Sequence, residues 1–285
     1  MKNLYSKFFN LELNPFGETP DPDFYYSSPQ HNRALTLLST SIKMGKGFSL
    51  LTGEVGTGKT LLSRILLTSV SSSSNTALIL YPKFTEMELL QAISEEFEIP
   101  VSPVELKTPK SLLDHLNRFL LESRDEGKHS ILLIDEAQAL SVNTLEMIRL
   151  LTNLETKTEK LLQIILIAQP EIKKTLDRPE LRQLKQRIGV EINLQGLDPI
   201  ETEKYIKSRI EQVSNGNFLR FDSGAVKVIH SLSSGIPRRI NQLCEQVIMT
   251  AETRRIRLIN AGFASEALGI KPKGLFSIFS KKEQG

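Results

Sequence analysis

GEVGTGKT, residues 53–60, lies between an apolar run, GFSLLT at 47–52, and a segment of helical spacing, TLLSRILLTSV at 60–70. Strand, glycine-rich turn and helix in that order are the context that makes G-x-x-x-x-G-K-[ST] a phosphate-binding loop. Gly53, Gly56 and Gly58 let backbone N–H groups close on phosphate oxygens, and Lys59 brings a charge for the β and γ phosphates. The hydroxyl of Thr60 suits Mg2+. The whole loop, Gly53, Glu54, Val55, Gly56, Thr57, Gly58, Lys59 and Thr60, is therefore the expected nucleotide site, with ATP and Mg2+ as its ligands.

Working outward, ILLIDEAQ at 131–138 supplies a second apolar strand that ends in two acids. Asp135 is expected to bind Mg2+ through water and Glu136 to orient or polarise an attacking water. Taken alone, the two acids would equally suit the start of a helix, where the dipole favours them. A further strand, LLQIILIAQ, closes with IAQPEI, which places Gln169 at a carboxyl edge of the sheet, where ligands sit in open α/β folds. Gln169 is expected to position the water or contact the γ-phosphate; the alternative is capping of a helix near Pro170.

TALILYP and GVEINL at 189–194 complete five strands. Between them run helical patterns such as SLLDHLNRFLLESRD, with Leu112, Leu113, Leu116, Phe119 and Leu120 on one stripe. Such alternation predicts an α/β fold, a five-stranded parallel sheet sandwiched by helices. From Leu197 onward the strand signal stops, and three helical segments remain: IETEKYIKSRIEQV, SGAVKVIHSL and PRRINQLCEQVIMTAETRR. This second part is expected to be a small all-helical subdomain.

The 285 residues are 40% hydrophobic and 24% charged, ordinary globular composition. The single cysteine, Cys244, argues against a disulfide scaffold and a thiolate metal site and for a reducing compartment. MKNLYSKFFNLELNPF holds no continuous apolar run, so neither a signal peptide nor a membrane span is expected there, and cytoplasm is the expected location. A net charge of +3 does not argue for nucleic acid globally, although residues 235–285 hold nine Lys or Arg against four Glu.

Four arginines have no role in the sheet pattern. Arg182 and Arg187 lie in RPELRQLKQRIGV, where an exposed guanidinium could reach the γ-phosphate held by a neighbouring subunit; a solvated helix face is the alternative, and Arg187 is the favoured candidate. Arg238 and Arg239 sit in the first turn after Pro237, where two cations oppose the helix dipole. A phosphate bound beneath the helical subdomain would offset that cost, with Arg238 as the contact and Arg239 pairing with an acid or a partner subunit.

With these residues in hand, the chain resembles AAA+ ATPases, and more closely the ExeA-like group of general-secretion-pathway A and MSHA-pilus (MshM-like) ATPases. The shared features are NPF at 14–16, TPDPDFYY at 19–26, His31 in SPQHNRAL, GKGFSLLTGEVGTGKT, LLIDEAQAL, AQPEI, LRQLKQRI and GIPRRINQLC. DEAQ also looks like the acidic motif of DEAD-box helicases, but a helical segment of this size does not supply the second domain those need.

The resemblance implies an AAA+ fold of four parts: an N-terminal segment at 1–45 packing near the nucleotide, an ATPase core at 46–196, a helical lid at 197–268 and a tail at 269–285. It implies Gln169 as sensor 1, Arg238 as sensor 2, an arginine finger from 182 or 187, and a homo-oligomeric ring when ATP is bound. The partners implied are inner-membrane components of a type IV pilus or type II secretion machine. Phe24, Tyr25 and Tyr26 offer stacking or simple packing, and His31 reads as a helix-start or core histidine.

The larger secretion members carry a membrane helix and a peptidoglycan-binding domain that this sequence does not show, so direct cell-wall binding is not expected. Leu275, Phe276, Ile278 and Phe279 between lysines would give the tail a peripheral contact with the inner membrane or a partner protein. The alternative function is a DNA-binding ATPase resembling transposition regulators. A nucleotide-dependent switch with little turnover is a third, and Glu136 argues against it.

Overall fold

The computed structural model describes residues 5–17, 24–100, 108–214, 216 and 219–270. The chain forms two compact units, Ser27–Gln195 and a second that joins residues up to Tyr26 with those from Gly196 onward.

The first unit runs α1 (Pro29–Lys43), β1 (Phe48–Gly53), α2 (Lys59–Val70), β2 (Ser74–Ile79), α3 (Glu86–Glu96), α4 (Pro109–Asp125), β3 (His129–Ile134), α5 (Val142–Leu151), β4 (Leu162–Ala168), the short α6 (Ile172–Leu176) and α7 (Arg182–Gln186), and β5 (Val190–Leu194). Its strands pair in the order β2-β3-β4-β1-β5, all parallel. A parallel sheet needs cover on both faces, which is why β1, β3 and β4 read as nearly unbroken apolar runs. Leu50, Leu132 and Leu166 pack with Leu89, Leu116 and Ile148 of α3, α4 and α5 on one face. Leu51, Ile131 and Ile165 pack with Leu38 of α1 and Leu62 of α2 on the other.

The five expected strands and their order along the chain are present, with shifted ends. β2 starts at Ser74, inside the serine run, because Ser74 and Asn75 pair with His129 and Ser130 of β3. β3 stops at Ile134, since Asp135 makes a last backbone bond to Ile79 (2.8 Å) and Glu136 then turns into the left-handed region, φ 52°. The carboxyl ends of β1, β3 and β4 thus lie side by side where the connection from β1 leaves for the far edge at β2, the position at which such sheets bind ligands.

The second unit holds α8 (Pro199–Glu211), β6 (Arg220–Phe221), α9 (Ser223–Ser233), α10 (Pro237–Thr253), β7 (Leu258–Ile259) and α11 (Ala261–Ala267). Where three helices were expected there are four among the described residues, and a minimal parallel ladder pairs Arg220 with Leu258 and Phe221 with Ile259. Two-residue strands carry no periodicity, so the pattern of residues could not announce them. The predicted stripe of α10 is the core-facing one: Ile240, Cys244, Val247, Ile248 and Ala251 are buried and Leu243 partly so. Gly235 (φ +71°) is required by a backbone crossing: Leu197 N–H donates to its carbonyl (2.8 Å), and a Cβ would stand 1.9 Å from the Leu197 carbonyl oxygen.

Of the N-terminal 45 residues, 5–17 and 24–26 pack into this helical unit, whereas α1 packs on the sheet. Phe9, Leu11 and Phe16 are fully buried in the helical core. In NPF, the Asn14 side-chain oxygen Oδ1 accepts the Phe16 N–H (2.9 Å) and the side-chain amide donates to Glu245. Glu18, residues 19–23 of the TPDPDFYY stretch, and the tail from 271 with Leu275, Phe276, Ile278 and Phe279, lie outside the described residues.

Candidate functional site

Most helix starts in the sheet unit are capped by a side chain: Ser28 for α1, Thr85 for α3, Thr108 for α4 and Ser141 for α5. The start of α2 is not. Its cap is Gly58 at φ 96°, which brings no side chain, so the first-turn N–H groups are left for an anion. Within the loop, Thr57 folds back through its N–H (3.3 Å) and hydroxyl (2.9 Å) onto the Glu54 carbonyl. The Lys59 ammonium donates to the carbonyls of Gly53 (2.7 Å) and Glu54 (3.0 Å) and is only 6% exposed. Burial lowers its pKa, and nearby Glu136 and Asp135 oppose that shift.

Across the loop, the Thr60 hydroxyl donates to Asp135 Oδ2 at 2.6 Å. Asp135 is 2% exposed; burial raises its pKa, partly countered by its hydrogen bonds with Thr60 and the Glu136 N–H. Two oxygen donors so close fit a hard cation that takes its remaining ligands from water and phosphate. Among the described residues no group of three His, Cys, Asp or Glu could hold a metal without such help.

Glu136 departs from ordinary backbone geometry, and a non-glycine residue in the left-handed region costs about 1 kcal/mol or more. That conformation carries its carboxylate to two amides: Gln138 and Gln169 both donate to Oε2, the latter at 3.2 Å. The Gln169 N–H in turn donates to Gln138 Oε1 (2.9 Å). Gln169 therefore stands at the end of β4, and its side chain reaches the acid instead of capping a helix. Gln138 was not singled out in the sequence; its place two residues after Glu136 in DEAQAL was the available signal. His31, expected as a helix-start or core histidine, lies buried in the first turn of α1, and its Nε2 is also 2.9 Å from the Thr57 carbonyl oxygen, a contact the sequence did not announce.

The structure brings Gly53, Glu54, Val55, Gly56, Thr57, Gly58, Lys59, Thr60, Asp135, Glu136 and Gln169 together at one edge of one unit. The four arginines stand on or beside other elements. Arg187, half-buried after α7, donates to the Thr152 hydroxyl (2.6 Å), and Arg182 is exposed at the first position of α7. Arg238 and Arg239 are exposed in the first turn of α10, in the helical unit, behind an Ile236 cap that offers no side-chain hydrogen bond.

A family model described as "AAA domain" matches residues 42–176. General secretion pathway protein A of Aeromonas hydrophila is 42% identical over 275 residues, which is 95% of this chain and 50% of that protein. The chain thus spans about half the length of the curated relative it matches. Among solved structures, the ORC2 protein of Aeropyrum pernix in ADPNP–ADP complexes superposes with a TM-score of 0.64 at 16% identity, covering 90% of this chain and 71% of that one. The RuvB Holliday junction branch migration motor of Thermotoga maritima gives 0.56 at 17%, covering 84% and 68%. At such identities the structures show the fold alone, a P-loop fold with a helical C-terminal part. The sequence match over nearly the whole chain, carried on that fold and that loop, makes the chain similar to AAA+ proteins and, among them, to the ExeA-like group of general secretion pathway A.

Proposed function

We propose that this chain binds ATP with Mg2+ and hydrolyses it to ADP and phosphate. The observation that carries the reading is the Glu136 carboxylate, held by two amides at one oxygen, beside a buried lysine and an uncapped helix start. Both amides engage Oε2, so Oε1 is left to accept a hydrogen bond from water and aim it at the γ-phosphate. Lys59 exchanges its loop carbonyls for phosphate oxygens, and the N–H groups of the loop and of α2 receive the rest of the charge. Bound Mg2+, held by Thr60 and by Asp135 through water, would supply charge neutralisation at the β and γ phosphates.

In this reading Gln169 is the sensor on β4, Arg238 contacts phosphate from the helical lid, and Arg182 acts on a neighbouring subunit's nucleotide in an ATP-dependent ring. Exposure favours Arg182 over Arg187, whose guanidinium is engaged by Thr152. The name of the Aeromonas relative supports service to a secretion pathway; in this reading the machine is a type II secretion system or an MSHA-like type IV pilus, served from the cytoplasm at the inner membrane. Peripheral contact through the tail belongs to the same reading; among the described residues no helix is long and apolar enough to cross a membrane.

DNA is the partner of a second reading, favoured by the exposed Arg220, Arg254, Arg255 and Arg257 around the β6–β7 ladder. Steeply salt-dependent binding of duplex DNA at physiological salt would support it.

Turnover of ATP by the wild type, Lys59→Ala and Glu136→Gln proteins tests the enzyme. We expect a loss of about 100-fold or more in both variants, with Glu136→Gln retaining nucleotide. Wild-type turnover no faster than that of Glu136→Gln would reduce the protein to a switch.

A further inference from the structure

His31 lies outside every nucleotide motif in the chain, 22 residues before the loop begins. It is 4% exposed on the first turn of α1, its Nδ1 is 2.7 Å from the Ser28 hydroxyl, and its Nε2 is 2.9 Å from the Thr57 carbonyl oxygen. Ser28 and Thr57 are themselves fully buried. A carbonyl can only accept, so Nε2 carries the proton and donates to Thr57, while Nδ1 is free to accept from the Ser28 hydroxyl, which also caps α1. The tautomer is thereby set by the partners.

In a trans peptide the carbonyl and the following N–H point in opposite directions. Holding the Thr57 carbonyl on the His31 side therefore turns the Gly58 N–H the other way, toward the inside of the loop. The ring also crowds Gly58 directly: a Cβ there would stand 3.1 Å from His31 Nε2. A helix-start histidine needs only the contact with Ser28. The second bond, to a loop that takes part in phosphate binding, is what that role leaves unexplained.

We infer that His31 is a positioning residue for the nucleotide phosphates, acting through the Thr57–Gly58 peptide; this rests on the nucleotide reading above. By presenting the Gly58 N–H before nucleotide arrives, it lowers the cost of organising the loop on binding.

Binding of fluorescent N-methylanthraniloyl-ADP with Mg2+ tests it, on wild type, Lys59→Ala, His31→Phe and His31→Gln, with thermal melts of each protein without nucleotide. Phenylalanine keeps a ring and loses the donor; glutamine loses the ring and keeps an N–H. We expect His31→Phe to raise Kd about tenfold and His31→Gln to recover most of that loss, with both melting as folded proteins. Wild-type affinity in His31→Phe overturns the role, as does a loss in His31→Gln equal to that in His31→Phe. If wild type itself fails to bind, the nucleotide reading falls first; binding by wild type with no effect of His31→Phe removes only the positioning role.

Discussion

Each unit of the molecule buries one long cation, and the two are buried to opposite ends. Lys59 in the sheet unit is 6% exposed and Arg209 in the helical unit 7%. Lys59 donates only to carbonyls of its own loop, in a setting that disfavours its charge. Arg209 is fastened on several sides: Nε donates to the Pro15 carbonyl, Nη2 to that of Gly17 (3.3 Å), and the guanidinium lies 4.5 Å from the Phe24 ring centroid and 5.7 Å from that of Tyr205. Tyr205 then donates to Asn241 (2.7 Å), whose amide reaches Gly17. One buried charge is held by loop carbonyls alone and, in the proposed function, is the one that meets phosphate; the other joins the N-terminal segment to α8 and α10. Equal burial thus says nothing of role; the partners decide it.

The same substitution at both positions should separate them most sharply. Arg209→Met is expected to cost about 3 kcal/mol in urea unfolding, because two buried carbonyls lose a charged donor and two rings lose a cation. Lys59→Met should leave the nucleotide-free protein at least as stable at pH 7. A lysine whose folded pKa is lowered costs stability wherever it is charged, and that cost disappears only as pH rises through the folded value. Equal losses in the two variants would erase the distinction.

A smaller effect is expected at the exposed arginines of α10. Arg238→Ala should lower ATP turnover about tenfold while leaving the melting temperature of the free protein unchanged, and Arg239→Ala should change neither quantity. If Arg238→Ala leaves nucleotide affinity, turnover and assembly untouched, the two cations at that helix start have no ligand to explain them.

The smallest effect sharpens the comparison from the acidic side. Burial raises the Asp135 pKa, so its ionised form costs stability at neutral pH, and the cost fades as pH falls through the carboxylate range. Asp135→Asn should therefore stabilise the free protein by about 1 kcal/mol at pH 7 to 8, with the gain shrinking in acid, while nucleotide turnover is lost. A uniform gain at all pH values would point to packing instead of charge.

Much of the sheet unit was legible before folding. The apolar runs around GEVGTGKT and LLIDEA are continuous because parallel strands are covered twice, and the order of motifs along the chain located Lys59, Thr60, Asp135 and Glu136. The helical unit was legible in the stripe of α10 and illegible in the β6–β7 ladder, which is too short to repeat. The contacts of Gln138, and that of His31 with the loop, were missed for a related reason. Each residue makes its contact across a turn or between elements, and neither belongs to a spacing pattern.

What the sequence determined by itself is what local chemistry repeats: five strands, the helices between them, and a loop whose glycines and lysine admit phosphate. Only the tertiary structure decided which polar groups meet. It brought Thr60 to Asp135, Gln169 and Gln138 to one oxygen of Glu136, His31 to the back of the loop, and the carbonyls of Pro15 and Gly17 to Arg209. Those contacts join residues that can lie far apart in the chain, and their strength comes from burial, where each polar group must find a partner.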